Sequence, residues 1–271
     1  MNNYIQIEFQ NISQEESDLV VAQLSEIGFE GFEEEENRLK AFIPSNDFDE
    51  ILLGNITEAL QIYFSKTIIE ETNWNQVWES NFEPVIVDDY VAIRADFHKP
   101  ITNTQFEIVI TPKMSFGTGH HATTYMTIEL MKEIDFNGRS ALDFGTGTGI
   151  LAILAERSGA KTIVAIDNDD WSIANAEENI KKNNCNKIIL RKAADATTEM
   201  KFDIILANIN KNVILENLVL LTEQLNKGGQ ILLSGLLEDD KDEILSIATE
   251  LNLKLKKELI RNNWIALQFH N

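Results

Sequence analysis

From residue 140 to residue 251, short apolar runs alternate with longer amphipathic stretches, and that rhythm restricts the fold more than any other feature of the chain. The runs 140–144, 162–166, 187–191, 202–207 and 230–234 have strand length. The stretches near 121–134, 149–158, 170–183, 211–225 and 238–251 have helical length and period. Parallel strands need crossovers of this size, so the alternation predicts a largely parallel sheet with helices on both faces. Two more runs, 254–260 and 264–269, flank Asn262-Asn263, a dipeptide suited to a tight hairpin. Residues 112–271 are therefore read as a doubly wound, Rossmann-like α/β domain.

The residues ahead of this rhythm read differently. Tyr4-Ile5-Gln6-Ile7-Glu8-Phe9 alternates polar and apolar side chains, as a strand with one buried face does. Ser13 and Glu16 stand at capping-box spacing before Leu19, Val20, Leu24 and Ile27, which recur at helical intervals until Gly28. Residues 29–34 and 38–43 predict a hairpin about Glu36-Asn37, closed by Pro44. Ile51, Leu52, Ile56, Leu60 and Phe64 predict a second helix, weakened by Gly54, and 66–71 supplies a last strand. The order β-α-β-β-α-β is that of a ferredoxin-like, split βαβ unit. The chain thus divides into 1–71, a small α+β domain; 72–111, a linker and the start of the larger domain; and 112–271. In the linker, Trp74 and Trp78 share one helical face, and they read as packing residues rather than ligand-stacking ones.

Composition bounds the partners. Of 271 residues 44 % are hydrophobic, enough for a core in each of two domains. No run of about 18 apolar residues is present to cross a membrane. The N-terminus lacks the basic start and apolar stretch of a secretory signal, so a cytoplasmic protein is expected. The lone Cys185 excludes an internal disulfide framework and a multi-cysteine metal site. The net charge is −21, and residues 1–60 hold 14 acidic against 2 basic side chains. Binding a phosphate backbone relies on Lys and Arg displacing counterions, so no direct nucleic-acid partner is expected. The acidic first domain serves solubility or attracts a basic partner. Nothing in the sequence demands an oligomer, and a monomer is expected.

The loop Asp143-Phe144-Gly145-Thr146-Gly147-Thr148-Gly149 leaves the first strand of the larger domain and opens a helix. Its glycines permit a tight turn and close approach of backbone to a ligand beyond the strand ends. The dinucleotide fingerprint wants a third glycine where Ile150 stands, which disfavours a pyrophosphate on the helix N-terminus. Asp167 ends the next strand, where a carboxylate can accept both hydroxyls of a ribose. Loop and acid together point to an adenosine-containing cofactor.

These features resemble a known group of enzymes. Class I methyltransferases that use S-adenosylmethionine carry an acid-x-Gly-x-Gly-x-Gly loop like 143–149 and an acid like Asp167. More narrowly, the chain resembles the methyltransferases of ribosomal protein L-eleven over almost its whole length. Residues 74–84 (WNQVWESNFEP) are similar to that family's linker, and 115–124 (SFGTGHHATT) to its loop ahead of the first sheet strand. Residues 143–151 (DFGTGTGIL) are similar to its cofactor motif, and Ala207-Asn208-Ile209 to its acceptor motif. The chain departs at His120-His121-Ala122, where Thr-His-Pro is usual, and at Asn210, where a small or apolar residue is common. Both departures lie on the acceptor side and bear on substrate choice.

The resemblance implies an enzyme that moves methyl groups from S-adenosylmethionine to lysine side chains and the N-terminal α-amine of that large-subunit ribosomal protein. It implies that residues 1–71 recognise this basic partner, and that Thr124, Gly145, Gly147, Asp167 and Asn208 contact the cofactor. Thr124 would reach the methionyl carboxylate, and the loop of Gly117 and Gly119 would fold over as a lid. Asp195 is a further candidate, for the adenine amino group, and Phe116 either stacks there or packs. Asn208 is assigned to catalysis: an acceptor amine must present its lone pair, and a carboxylate would hold the proton on. A neutral amide oxygen orients the amine at less cost. The plainer reading of Asn208 is a cap for the helix that follows. His120 and His121 are read as packing or capping residues, and no metal is required. Alternatives are a class I methyltransferase acting on another protein or a small-molecule amine, a nicotinamide-dependent oxidoreductase, and a non-catalytic ribosome-assembly binder.

Overall fold

The first strand carries the alternation of its sequence into space: in β1 (Tyr4–Gln10), Ile5, Ile7 and Phe9 are buried and the residues between them only partly so. It leads into α1 (Gln14–Glu26), whose capping box closes, with the Ser13 N–H donating to Glu16 Oε2 at 2.9 Å and the Glu16 N–H donating back to Ser13 Oγ. β2 (Gly31–Glu35), β3 (Arg38–Pro44), α2 (Glu50–Leu60) and β4 (Phe64–Ile69) follow. The sheet is antiparallel in the order β2-β3-β1-β4, the split βαβ arrangement, with Val20, Leu24, Leu39, Ile43 and Leu53 in its core. One helix face differs from expectation. α2 buries Leu53 and Thr57, whereas Ile51 and Leu52 are exposed. Three consecutive apolar residues leave the phase of a helix open, and the packing of Leu53 into the core of the first unit sets it.

The computed structural model describes residues 4–35, 37–69, 82–113 and 116–271; Trp74, Trp78 and Ser115 lie outside them. The chain divides into two compact units, Met1–Ser80 and Asn81–Asn271. No helix among the described residues is long and apolar enough to cross a membrane.

The second unit opens with a small sheet, β5 (Val85–Val87), β6 (Val91–Ala95) and β7 (Phe106–Ile110), in that order. Its central strand is wholly buried, and the Arg94 charge is met by a two-pronged pair with Glu107 at 2.8 and 3.1 Å. Tyr90 packs edge-on against Phe106, and Phe82 is buried. The alternating part then runs α3 (Ala122–Met131), β8 (Ser140–Phe144), α4 (Ile150–Arg157), β9 (Thr162–Asp167), α5 (Asp170–Lys182) and β10 (Ile188–Lys192). It continues with β11 (Phe202–Asn208), α6 (Lys211–Glu223), β12 (Leu225–Leu237), α7 (Lys241–Glu250), β13 (Lys254–Arg261) and β14 (Trp264–His270).

These strands make one seven-stranded sheet in the order β10-β9-β8-β11-β12-β14-β13. The five strands from β10 to β12 are parallel, and the closing hairpin adds β14 antiparallel to β12 and β13 antiparallel to β14. Asn262 and Asn263 turn that hairpin with φ of 51° and 62°, the pair of positive values a two-residue turn requires. Alternate residues of each strand face opposite sides. Ala141, Ile163, Ala165, Ile204 and Leu206 pack with α3, α4 and α5, and Leu142, Val164, Ile166, Ile205 and Ala207 pack with α6 and α7. Both faces being covered explains why β8 is apolar almost without interruption. From β8 the chain winds outward to β10, then returns to lay β11 on the other side of β8. That reversal leaves a crevice above the carboxyl ends of β8 and β11.

Gly54 stands inside α2 with a negative φ, and a Cβ there would meet nothing within 4 Å. Gly54→Ala should therefore raise the denaturant stability of the intact chain by about 0.5–1 kcal/mol, the helix propensity difference. A loss of stability would show that the helix is constrained by a neighbour at this position.

Candidate active site

β8 ends in Asp143-Phe144, and the chain turns at once through Gly145, Gly147 and Gly149, all with positive φ. The Gly145 and Thr146 N–H groups both donate to the Ile166 carbonyl at 2.9 Å, which pins the loop to the end of β9. Beneath it the buried Asp143 carboxylate accepts the Thr146 hydroxyl at 2.6 Å and the Ala152 N–H at 3.1 Å. Above it runs the segment before α3: the Thr148 N–H donates to the Phe116 carbonyl, and the Thr148 hydroxyl donates to the Gly117 carbonyl at 2.7 Å. The glycines have a neighbour the sequence did not reveal. A Cβ on Gly147 would lie 2.4 Å from the Phe116 carbonyl oxygen, and one on Gly145 would lie 2.8 Å from the Ile209 side chain. Their small size thus makes room for the protein's own chain at the rim of the crevice.

Two strand ends complete the site. Asp167, last in β9, accepts the Gly147 N–H at 2.8 Å and the Asp169 N–H at 3.1 Å. Asn208, last in β11, is 6 % exposed and donates its amide N–H to the buried Thr124 hydroxyl of α3 at 3.1 Å. Its carbonyl oxygen Oδ1 is buried and has no hydrogen-bond partner. The cap of α6 falls to Asn210, whose Oδ1 accepts the Val213 N–H, so Asn208 is free of that duty. His121 caps α3: its Nδ1 accepts the Thr123 N–H and lies 2.8 Å from the Thr123 hydroxyl. His120 is exposed, with Nε2 at 2.9 Å from the Glu83 carbonyl and its ring edge-on to Phe82.

A cavity of about 360 Å³ lies over the crevice. Gly145, Gly147, Asp167 and Asn208 line it together, and Thr124 supports its wall through Asn208. Phe116, His121 and Asn210 line it as well. Asp195 does not; it sits exposed, its carboxylate taken by the Thr197 N–H. Sequence reasoning missed Ser172, Gly235 and Trp264. Ser172 and Trp264 gave no signal beyond their place in a helix and a strand. Gly235, directly after the 230–234 run, was legible in principle: a Cβ there would fall 2.2 Å from the Ile209 carbonyl.

The donor set suits an adenosine-containing sulfonium cofactor. Its ingredients are a carboxylate at a strand end, backbone turns without side chains, and an orphaned amide oxygen in a mostly apolar wall. Burial also pushes the Asp143 carboxyl up from the ordinary 3.8 to about 6, against the lowering effect of its bonds from Thr146 and Ala152. The folded protein therefore holds this proton more tightly than the unfolded chain. The stabilisation is complete below pH 4 and is lost as pH rises through 6. Asn cannot titrate, so the stability of Asp143→Asn relative to wild type should gain about 2 kcal/mol between pH 4 and pH 7. Denaturant melts across that range check it; a pH-independent difference contradicts it.

The family profile described as Ribosomal protein L11 methyltransferase (PrmA) matches residues 3–271. The Ribosomal protein L11 methyltransferase of Porphyromonas gingivalis is 40 % identical over 261 residues, covering 93 % of this chain and 90 % of that protein. That of Chlorobaculum tepidum is 33 % identical over 278 residues, covering 98 % and 96 %. The crystal structure of the ribosomal protein L11 methylase from Lactobacillus delbrueckii subsp. bulgaricus aligns with a TM-score of 0.65 at 30 % identity, covering 69 % of this chain and 98 % of that one. With this fold, this cavity and matches along the whole length, the chain belongs to the ribosomal protein L11 methyltransferase family of S-adenosylmethionine-dependent enzymes.

Proposed function

We propose that this protein transfers methyl groups from S-adenosylmethionine to amines of ribosomal protein L11, at lysine side chains and the N-terminal α-amine. Within a chain that matches the family from end to end, the observation that carries the reading is the buried, unpartnered Oδ1 of Asn208 at the cavity wall. S-adenosylmethionine supplies a methyl group made electrophilic by its sulfonium. The protein's part is to bind, align and exclude. Asp167 keeps acceptor capacity beyond its two backbone bonds and suits the hydroxyls of a ribose. Thr124 accepts from Asn208, which leaves its own hydroxyl proton to donate toward a carboxylate. Gly145 and Gly147 offer a wall without side chains.

Asn208 faces the acceptor. A lysine amine of pKa about 10.4 is almost wholly protonated at neutral pH, and an α-amine of about 7.7 is partly free. A neutral amide oxygen accepts one N–H of the free amine and aims its lone pair, whereas a carboxylate would stabilise the unreactive ammonium. Residues 1–71 are assigned to recognition of the protein substrate. The net −12 of residues 1–60 complements the basic surface of a ribosomal protein, which favours fast and selective encounter.

Incubation with unmodified L11 and labelled S-adenosylmethionine, read by intact mass, tests this. Wild type should add mass in steps of one methyl, and Asn208→Ala should slow transfer by roughly a hundredfold. Cofactor binding without any transfer to L11 would overturn the substrate and point to another protein or a small amine.

A further inference from the structure

The cavity has a direction. Neighbouring strands stand about 4.8 Å apart, so Asn208 on β11 lies roughly 10 Å along the sheet edge from Asp167 on β9, with β8 between them. The start of β14, where Trp264 pairs with Leu237 at the carboxyl end of β12, lies roughly 10 Å further in the same sense. Asp167 and the glycine loop thus occupy one end, Asn208 the middle, and Trp264 the other end. From Phe116, which lies over the glycine loop, toward Trp264 at that far end, three rings stand in a row. Phe116 meets His121 with centroids 5.2 Å apart, and His121 meets the Trp264 ring edge-on at 4.8 Å. All three line the cavity, and Phe116 remains 53 % exposed. His121 turns its Nδ1 to the α3 cap and presents its ring to the row. Among the described residues the one carboxylate on the lining, Asp167, is at the opposite end. Arg261, across the hairpin from Trp264, is already laid over the Tyr125 ring at 3.8 Å.

We propose that Phe116, His121 and Trp264 form the channel by which the acceptor reaches Asn208, a row of rings that takes the alkyl stem and ammonium head of an incoming amine. This extends the reading given under the proposed function and names the group it admits. Ring faces attract an ammonium by their quadrupole, and methylation spreads that charge over apolar methyls without removing it. The same walls therefore accept the starting amine and its methylated forms. A carboxylate in their place would favour the fully protonated amine alone. Beyond recognition by the N-terminal unit, the channel selects for an amine on a slender, unbranched stem.

The test is calorimetric titration of pentyltrimethylammonium into protein loaded with S-adenosylhomocysteine, alongside titration of S-adenosylhomocysteine itself. Wild type should bind the ammonium. Trp264→Ala should weaken that binding about tenfold, Phe116→Ala severalfold, and Trp264→Phe by less than threefold. Affinity for S-adenosylhomocysteine should stay within about twofold in all three. The proposal falls if wild type does not bind the ammonium. It falls equally if Trp264→Ala and Phe116→Ala bind it as wild type does, or if both affinities drop in parallel, which would give the rings to the cofactor. Ammonium binding without methyl transfer to L11 would sustain the channel and sink the L11 reading; transfer without ammonium binding would do the reverse.

Discussion

Where β8 and β11 lie side by side, the connections of the sheet leave in opposite directions, and no crossover covers the carboxyl ends of that strand pair. The rest of the site follows from this opening. The glycine loop is the turn out of β8, Asp167 ends the strand on one side, and Asn208 ends the strand on the other. The buried Asp143 carboxylate ties the loop to the first turn of α4, and the Phe116–Gly117 carbonyls tie it to the segment before α3. The cavity therefore rests on two strand ends and a loop braced from both sides. Such support holds a reacting group in place better than free loops would.

The polar groups divide the work by their environment. Asp167 is partly exposed and keeps acceptor capacity, as an anchor for hydroxyls should. Asn208 is buried, its N–H tied and its oxygen untied, so its orientation is determined before any ligand arrives. A buried amide oxygen without a partner costs free energy. Binding a group that donates to it recovers that cost.

Much of this was legible in the sequence because turns and strand ends carry local signals. The glycines of 145–149, Asp167 and Asn208 each sit where a periodic run stops, and the capping pair Ser13–Glu16 and the Asn262-Asn263 turn depend only on their immediate neighbours. What escaped was tertiary. Trp264 reaches the cavity only because β14 pairs antiparallel with β12, a partner set far from it along the chain. Gly147 is small for the sake of Phe116, which comes from the segment ahead of α3. β5 to β7 are too short to declare a period, and in α2 the run Ile51-Leu52-Leu53 left two phases open until packing chose one. The cap of α6 shows the limit of a local rule: the sequence offered Asn208, but β11 runs on through Asn208 and the cap falls to Asn210.

The central claim is that this sheet-edge cavity binds S-adenosylmethionine with Asp167 on its ribose. Calorimetric titration of S-adenosylmethionine into wild type and Asp167→Ala tests it most directly. Loss of charge-assisted hydrogen bonds to the ribose should raise Kd by about 10- to 100-fold, with the fold intact by circular dichroism. An unchanged Kd in Asp167→Ala would contradict the assignment and place the cofactor elsewhere.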